Sequence, residues 1–487
     1  MKKHIHIIGS GFSSLAASCY LAKAGYKVVV LEKNSSVGGR ARQLLKDGFT
    51  FDIGPTWYWM PDVFEKFFAD FDKKPSDYYE LEKLDPAYQV YFNVKDSITI
   101  PGSLEEIYEI FEKEEKGSAA HLKSFLKSAQ YNYDVSINDL VYKPGVSPLE
   151  LVTPVTIGKI TQFFSTIRKQ VRKKIKSKKL IQILEFPVLF LGAKPSNTPA
   201  FYNFMNYADF GLGTWHPKGG MYKVIEAMVT LATELGVEFK TQSNVEEITV
   251  NSASEAIGLV VNGEFVSSDI VLSGADYHHT ETLLSKQYRQ YSEKYWDKKV
   301  FAPSSLLFYV GFDKKLTDVC HHTLFFDTDF DVHAKSIYDT PSWPKEPLFY
   351  ASFPSITDDE FAPKNNEAAT FLIPLAPGIE DTPEIREKYV NIIIERLERL
   401  IQQSVKESII FKESFCVNDF VKDYNSYKGN AYGLANILTQ TAFLRPKIKS
   451  KKVKNLFFTG QLTVPGPGVP PSLISGKIAS DLIIKHN

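Results

Sequence analysis

Gly9-Ser10-Gly11-Phe12-Ser13-Ser14 has the spacing of a phosphate-cradling turn. Two glycines there allow a tight bend and a close approach of backbone to a pyrophosphate; the third glycine of the G-x-G-x-x-G pattern is replaced by Ser14, small enough for close helix packing. Glu32 follows Gly11 by 21 residues, where a carboxylate can accept hydrogen bonds from ribose hydroxyls. Next comes Gly38-Gly39-Arg40. Its glycines let amides approach a second part of a long cofactor, and its guanidinium offers bidentate contact to phosphate. The set predicts a dinucleotide site, and a nicotinamide enzyme has no use for the second glycine pair.

The elements that must position these residues are legible around them. Residues 4–9 (HIHIIG) read as a buried strand, 12–24 as a helix stopped by Gly25, and 28–32 (VVVLE) as a second buried strand, a βαβ unit of ordinary length. A helix-rich region is expected over roughly 101–190, opening behind Ser103 and breaking at Gly117. From Gly219 a helix leads into alternating strands, and 300–440 is mixed, with a long helix at 383–403. Residues 455–460 read as a strand and 473–485 as a helix. The pattern predicts one sheet domain built from discontinuous segments with a second domain inserted.

Composition narrows the class. The 487 residues exceed the size at which a single core stops growing, and 44% hydrophobic content suffices for two or three domains. With 57 basic and 57 acidic side chains there is no global charge to favour nucleic acid. Three cysteines without a C-x-x-C pair exclude a disulfide framework or thiolate zinc site and suggest a reducing compartment. No apolar run is long enough for a membrane span, and the N-terminus does not read as a secretory signal, so the cytoplasm is expected. His278-His279 and His321-His322 are adjacent pairs without metal-ligand spacing and are read as surface or hydrogen-bonded histidines; no metal is expected.

The first two motifs together resemble the FAD-binding start of the amine oxidase and phytoene desaturase flavoproteins. Trp215-His216-Pro217-Lys218-Gly219-Gly220 is similar to the W-x-P-x-G-G turn of carotenoid desaturases. The segment from Val237 to Val250 resembles the place where such proteins hold adenine, here at Val245. Thr463-Val464-Pro465-Gly466-Pro467-Gly468-Val469-Pro470, after the strand ending at Gly460, is similar to their C-terminal flavin loop. The chain thus resembles a bacterial-type phytoene or carotenoid desaturase over nearly its whole length. It departs at Ser14, Gln461 and Leu462, where relatives carry smaller residues.

The resemblance implies an α/β fold with a Rossmann-type FAD-binding domain, an inserted mixed α+β substrate domain and a helical membrane-facing region. The expected division is 1–100, 213–290 and 440–487 for FAD, 291–439 for substrate and 101–212 for the helical, membrane-associating part. The cofactor residues implied are Gly9, Gly11, Phe12, Ser13, Ser14, Glu32, Lys33, Gly39, Arg40, Gly54, Pro55, Thr56, Trp57, Val245, Gly460, Gln461, Gly468, Val469 and Pro470. The amino end of helix 473–485 is expected to present unpaired N–H groups and positive dipole to the flavin. Activity is expected to be carotenoid desaturation by hydride transfer, with oxygen or a quinone as final acceptor; no acid or base stands out in the sequence. A later hydroxylated carotenoid desaturase, an isomerase or a ketolase would carry the same motifs. An amine oxidase or a non-catalytic prenyl-binding protein fits them less well.

A hydrocarbon substrate needs an apolar channel, and Trp57 and Trp59 are its expected lining, whereas Phe64, Phe67, Phe68 and Phe71 fall at the spacing of a helix's core face. Eight basic residues lie among the twelve from Arg168 to Lys179, directly before the apolar run 180–192. That pairing predicts docking on a membrane surface, peripheral or monotopic on the cytoplasmic side, with Arg445 to Lys454 as a second basic run on the same surface.

Overall fold

The strands His4–Ile8 and Lys27–Leu31 bury their last four residues, as strands covered on both faces must. They run parallel in the register Ile5 to Val28 and Ile7 to Val30, joined by the helix Phe12–Lys23. The computed structural model, which describes residues 3–486, completes this sheet from distant segments. Ile270–Ser273 and Leu456–Phe458 add to one side and Glu238–Lys240 to the other, giving five parallel strands. Helices Phe12–Lys23, Tyr222–Glu234 and Val469–His486 supply core residues to one face. The three antiparallel strands Val245–Val250, Ala256–Val261 and Glu264–Ser267 form a small sheet whose apolar residues pack with the other face.

The last helix begins at Val469, four residues before the expected start at residue 473. Pro470 and Pro471 occupy its first turn, where a missing N–H breaks no intrahelical bond. It lies so close to Phe12–Lys23 that a Cβ at Gly476 would stand 2.3 Å from the carbonyl oxygen of Ser13. Only glycine fits there.

A seven-stranded mixed sheet forms the second layer, in the order Ile409–Phe415, Ser304–Phe312, Glu367–Leu375, Phe349–Ser352, His322–Phe325, Tyr88–Asn93, Asp96–Ile100. The last two strands fall within 1–100 yet pair here, so strand pairing crosses the expected division between the cofactor and substrate parts. Side-chain alternation divides the sheet's faces. Leu306, Phe308, Phe325, Phe371 and Ile373 pack with the helix Pro383–Ile401, while Ser305, Leu307, Leu324, Tyr350 and Leu372 face a large cavity.

The region 101–212 is helical, with Leu104–Glu114 and Ser118–Asn138 its longest members and Gly117 between them at φ 86°. The rest is a series of short turns and helices. No helix among the described residues is long and apolar enough to cross a membrane.

Candidate cofactor and substrate site

The two glycine-rich loops meet back to back. Gly9 turns with φ 84°, and the Gly38 N–H donates to the Ser10 carbonyl and hydroxyl at 3.1 and 3.2 Å. Gly39, at φ 57°, stands on Gly11, and a Cβ at Gly54 would fall 1.9 Å from the Arg40 carbonyl oxygen. Three chain segments therefore touch through backbone alone, leaving amides at the cavity surface.

Glu32 ties this corner together. One carboxylate oxygen accepts from the Ser10 N–H at 3.1 Å and the Ser10 hydroxyl at 2.6 Å; the other accepts from the Asn34 N–H and side-chain amide at 2.9 and 3.0 Å. A carboxylate has about four acceptor positions, and its reach to the cavity wall leaves it able to take ribose hydroxyls in exchange. Lys33 donates to the Lys422 carbonyl at 2.6 Å and the Asn425 side chain at 3.1 Å, and burial holds its ammonium below the usual lysine range.

Arg40 is the charged group of the cradle. Its Nη2 reaches the Ser426 hydroxyl at 3.3 Å and the Asn430 carbonyl at 3.4 Å, and its guanidinium lies 5.0 Å from the Tyr424 ring centroid. Its Nε is buried without a partner. Burial lowers its proton affinity, with Asp276 and Tyr424 opposing. A buried cation with an unused donor beside converging glycines fits a pyrophosphate. Arg42 instead closes a 2.5 Å ion pair with Asp423.

Gly9, Gly11, Phe12, Ser13, Glu32, Lys33, Gly39, Arg40, Gly54, Pro55, Thr56, Trp57, Val245, Gly460, Gln461, Gly468, Val469 and Pro470 all line one cavity. Ser14 does not. It is fully buried, and a Cβ at Gly274 would stand 2.0 Å from its hydroxyl, so the facing glycine makes the room that the missing third glycine would have made. Gln461 is accommodated in the same way by Gly433, where a Cβ would lie 2.9 Å from the Gln461 Cγ. With its amide oxygen turned inward, Gln461 accepts from Arg40 Nη2 at 3.2 Å.

The flavin loop differs from expectation at its helix. Prolines at 470 and 471 remove two of the first N–H groups, and the Ser472 N–H already bonds the Gly468 carbonyl at 3.0 Å. The helix therefore offers its axial dipole and the Val469 N–H rather than a full set of donors. Gly460, at φ 104°, is held by the Ser475 hydroxyl at 2.9 Å.

Beyond Thr56 the same cavity becomes aromatic. Trp57 lies 5.7 Å from each of the Phe186 and Phe190 ring centroids and stacks on His322 at 4.0 Å with 11° between planes. Trp59 lines it as well, 4.8 Å from Phe190, while Phe64, Phe67, Phe68 and Phe71 are core. Phe186 and Phe190 belong to the apolar run 180–192, expected to insert into lipid; Leu180, Ile183, Leu184, Val188 and Leu191 are buried instead, so the run is an inner wall. The basic run beginning at Arg445 is likewise corrected at its first residue. Arg445 is buried and donates to the Gln461 and Leu434 carbonyls at 3.1 and 2.9 Å, behind the flavin loop.

Polar groups to which the sequence reading gave no site role, among them one residue of each histidine pair, stand in or behind the lining. His279, Asp276 and Asn425 stand near Lys33, with His279 Nε2 3.1 Å from the Asn425 amide. Burial, Lys33 and His278 lower the His279 imidazole to about 4. Tyr350 bonds Thr56 Oγ1 at 2.8 Å and His322 Nδ1 at 2.7 Å. Of these, His322 and Tyr350 are brought together by the pairing of the strands His322–Phe325 and Phe349–Ser352.

The profile of the family described as Flavin containing amine oxidoreductase matches residues 12–484. The chain is 40% identical over 487 residues to a Carotenoid 3,4-desaturase of Haloarcula japonica, covering 99% of this chain and 98% of that one. It is 31% identical over 494 residues to a 4,4'-diapophytoene desaturase (4,4'-diaponeurosporene-forming) of Staphylococcus haemolyticus, with the same coverage. Among solved structures it resembles an oxidoreductase from Methanosarcina mazei (TM-score 0.61, 16% identity, 97% of this chain and 99% of that one). Rab GDI from Plasmodium falciparum is also similar (TM-score 0.57, 13% identity, 98% of each). At such identities the structures speak for the fold alone.

Proposed function

Because the chain belongs to the flavin containing amine oxidoreductases and is an FAD-dependent oxidoreductase, we propose that it is a carotenoid desaturase, introducing C=C bonds into a membrane-dissolved C40 polyene. The observation that carries this reading is a single cavity running from the Gly39–Arg40 cradle into an aromatic tunnel walled by Trp57, Phe186 and Phe190. Full-length similarity to two desaturases supports it. The higher identity to a Carotenoid 3,4-desaturase favours a later carotenoid over phytoene itself.

Bound FAD would supply the two-electron acceptor for a hydride. Glu32 and Val245 would hold its adenosine end, Arg40 and the glycine loops its pyrophosphate, and the 460–470 loop its ring system. The apolar walls orient the polyene and exclude water. The final electron acceptor in this reading is oxygen or a quinone. In this reading residues 1–100, 213–290 and 440–487 chiefly serve the cofactor, 291–439 the substrate and 101–212 the membrane surface, with Trp57, Phe186 and Phe190 adding to the substrate wall and Ser426 and Asn430 to the Arg40 cradle.

Such a substrate is reached from a lipid surface, and docking on the cytoplasmic face of the membrane is part of the proposal. Val146, Leu149, Val152 and Phe164 are exposed apolar side chains that precede the exposed Lys169, Lys173, Lys174, Lys176 and Lys178 in the helical region. Apolar groups beside cations suit an anionic interface.

The test is expression in cells that accumulate phytoene and, separately, in cells that accumulate later carotenoids. Pigments are resolved by chromatography and flavin is measured in the purified protein. New, longer-conjugated pigment with bound FAD supports the proposal; FAD without any new polyene in either host would sink the carotenoid assignment.

A further inference from the structure

We propose that Tyr350, backed by His322, receives the proton that leaves the polyene as the double bond forms. This rests on the desaturase reading. The reaction breaks two neighbouring C–H bonds. Bound FAD would supply the acceptor for a hydride from one; the electron pair of the other becomes the new π bond, and its proton must be taken up by a group at the cavity wall. Tyr350 oxygen takes that proton while the phenol's own proton passes to His322 Nδ1. No further oxidant is needed.

The geometry carries the assignment. Tyr350 lines the cavity, and its hydroxyl bonds Thr56 Oγ1 at 2.8 Å and His322 Nδ1 at 2.7 Å. Thr56 lies two residues beyond Gly54, which abuts the Arg40 carbonyl, so the phenol stands beside the cofactor cradle. Behind it the groups continue inward. The His322 ring is 4.5 Å from His321, His321 is 4.6 Å from His216, and His216 Nε2 is 3.0 Å from Asp358. His322 Nε2 is buried without a partner, so the imidazole is not fully used by the fold.

The charge state agrees. Burial and nearby His216 hold His322 far below the ordinary imidazole range, leaving it neutral with a proton acceptor to offer. Hydride loss from an allylic carbon leaves a delocalised cation, whose neighbouring C–H is acidic enough for a weak neutral base. The titratable groups around His322 are Tyr350 on the adjoining strand, His321 beside it and His216 from the Trp215–Pro217 strand, with Asp358 beyond.

The experiment compares wild type, Tyr350→Phe and His322→Gln as holoenzymes. Glutamine can accept the Tyr350 hydrogen bond but cannot take its proton, so a merely structural role is rescued and a proton-transfer role is not. Expected are flavin occupancy and polyene affinity near wild type and a melting temperature lowered by no more than a lost buried hydrogen bond explains, with turnover lowered about 100-fold or more in both variants. Turnover of either variant near wild type overturns the proposal, as does a loss explained by lost flavin or polyene binding. A wild type that desaturates no polyene defeats the functional reading instead, before the variants are compared. A second readout uses flavin-free protein, where Trp57 emission is isolated by subtracting Trp57→Phe. Level emission from pH 8 to 6 is expected, because a neutral imidazole stacked at 4.0 Å quenches little. Quenching with a midpoint near the ordinary imidazole value of about 6.5 would reveal a cation unable to accept the proton and would overturn it.

Discussion

Gly39 rests directly on Gly11, so that a Cβ added at Gly39 would lie 3.1 Å from the Gly11 Cα. This contact locks the two phosphate-approaching loops into one surface, and Gly39 also holds a left-handed φ of 57°. Gly39→Ala is therefore expected to lower stability by about 1 to 2 kcal/mol from left-handed strain and crowding together. FAD affinity should fall about tenfold or more, read by flavin fluorescence titration.

Charge-assisted contacts to the cofactor have a separate signature. Arg40→Ala and Glu32→Ala each remove hydrogen bonds worth about 1.5 to 3 kcal/mol to a charged partner, so FAD should bind about 10- to 100-fold more weakly. Arg40→Lys keeps charge but loses the fork, and should fall in between. Undiminished flavin occupancy in both alanine variants would contradict the site.

Asp209 gives a pH dependence. It is buried, bonded by the Tyr88 hydroxyl at 2.8 Å, with its other oxygen unpartnered, and burial pushes its carboxyl up to about 8 despite that bond. An acid raised on folding binds a proton longer in the native state than in the unfolded chain. Its stabilising contribution is full below the unfolded value of about 4 and is lost as pH rises toward 8. Asp209→Asn should therefore flatten the decline in melting temperature between pH 5 and 8 and stabilise the protein by a few kcal/mol at the upper end. A steeper decline in the variant would refute the argument.

Membrane docking is tested at exposed positions that folding does not need. Leu149 is 76% and Phe164 75% exposed. The double variant Leu149→Asp, Phe164→Asp should partition about 100-fold less onto anionic vesicles, since each apolar side chain contributes about 1.5 to 3 kcal/mol on burial. Raised salt should weaken the wild type through the lysines. Equal flotation of both proteins would dismiss this surface.

Sequence made the cofactor half of the molecule readable because its chemistry is local. Strand, glycine turn, helix and Glu32 fall within thirty residues, each with its own periodicity. The run 180–192 misled because hydrophobicity alone does not distinguish a lipid-facing segment from the wall of an internal cavity; the same residues serve either. The expected start of the last helix was late for a related reason, since prolines look like breakers unless they stand in a first turn. His322 was legible only as one of a surface or hydrogen-bonded pair, and Tyr350 not at all. They sit on paired strands at diagonal positions, His322 opposite Ser352, and no spacing within either strand announces the other.

The position of the Leu456–Phe458 strand and the Val469–His486 helix has a consequence for biogenesis. Both complete a cradle whose first loops are synthesised more than 400 residues earlier, and Gly476 is seated against the Ser13 backbone. A growing chain therefore carries its nucleotide loops without their cover until these segments, more than 400 residues later, have emerged and folded.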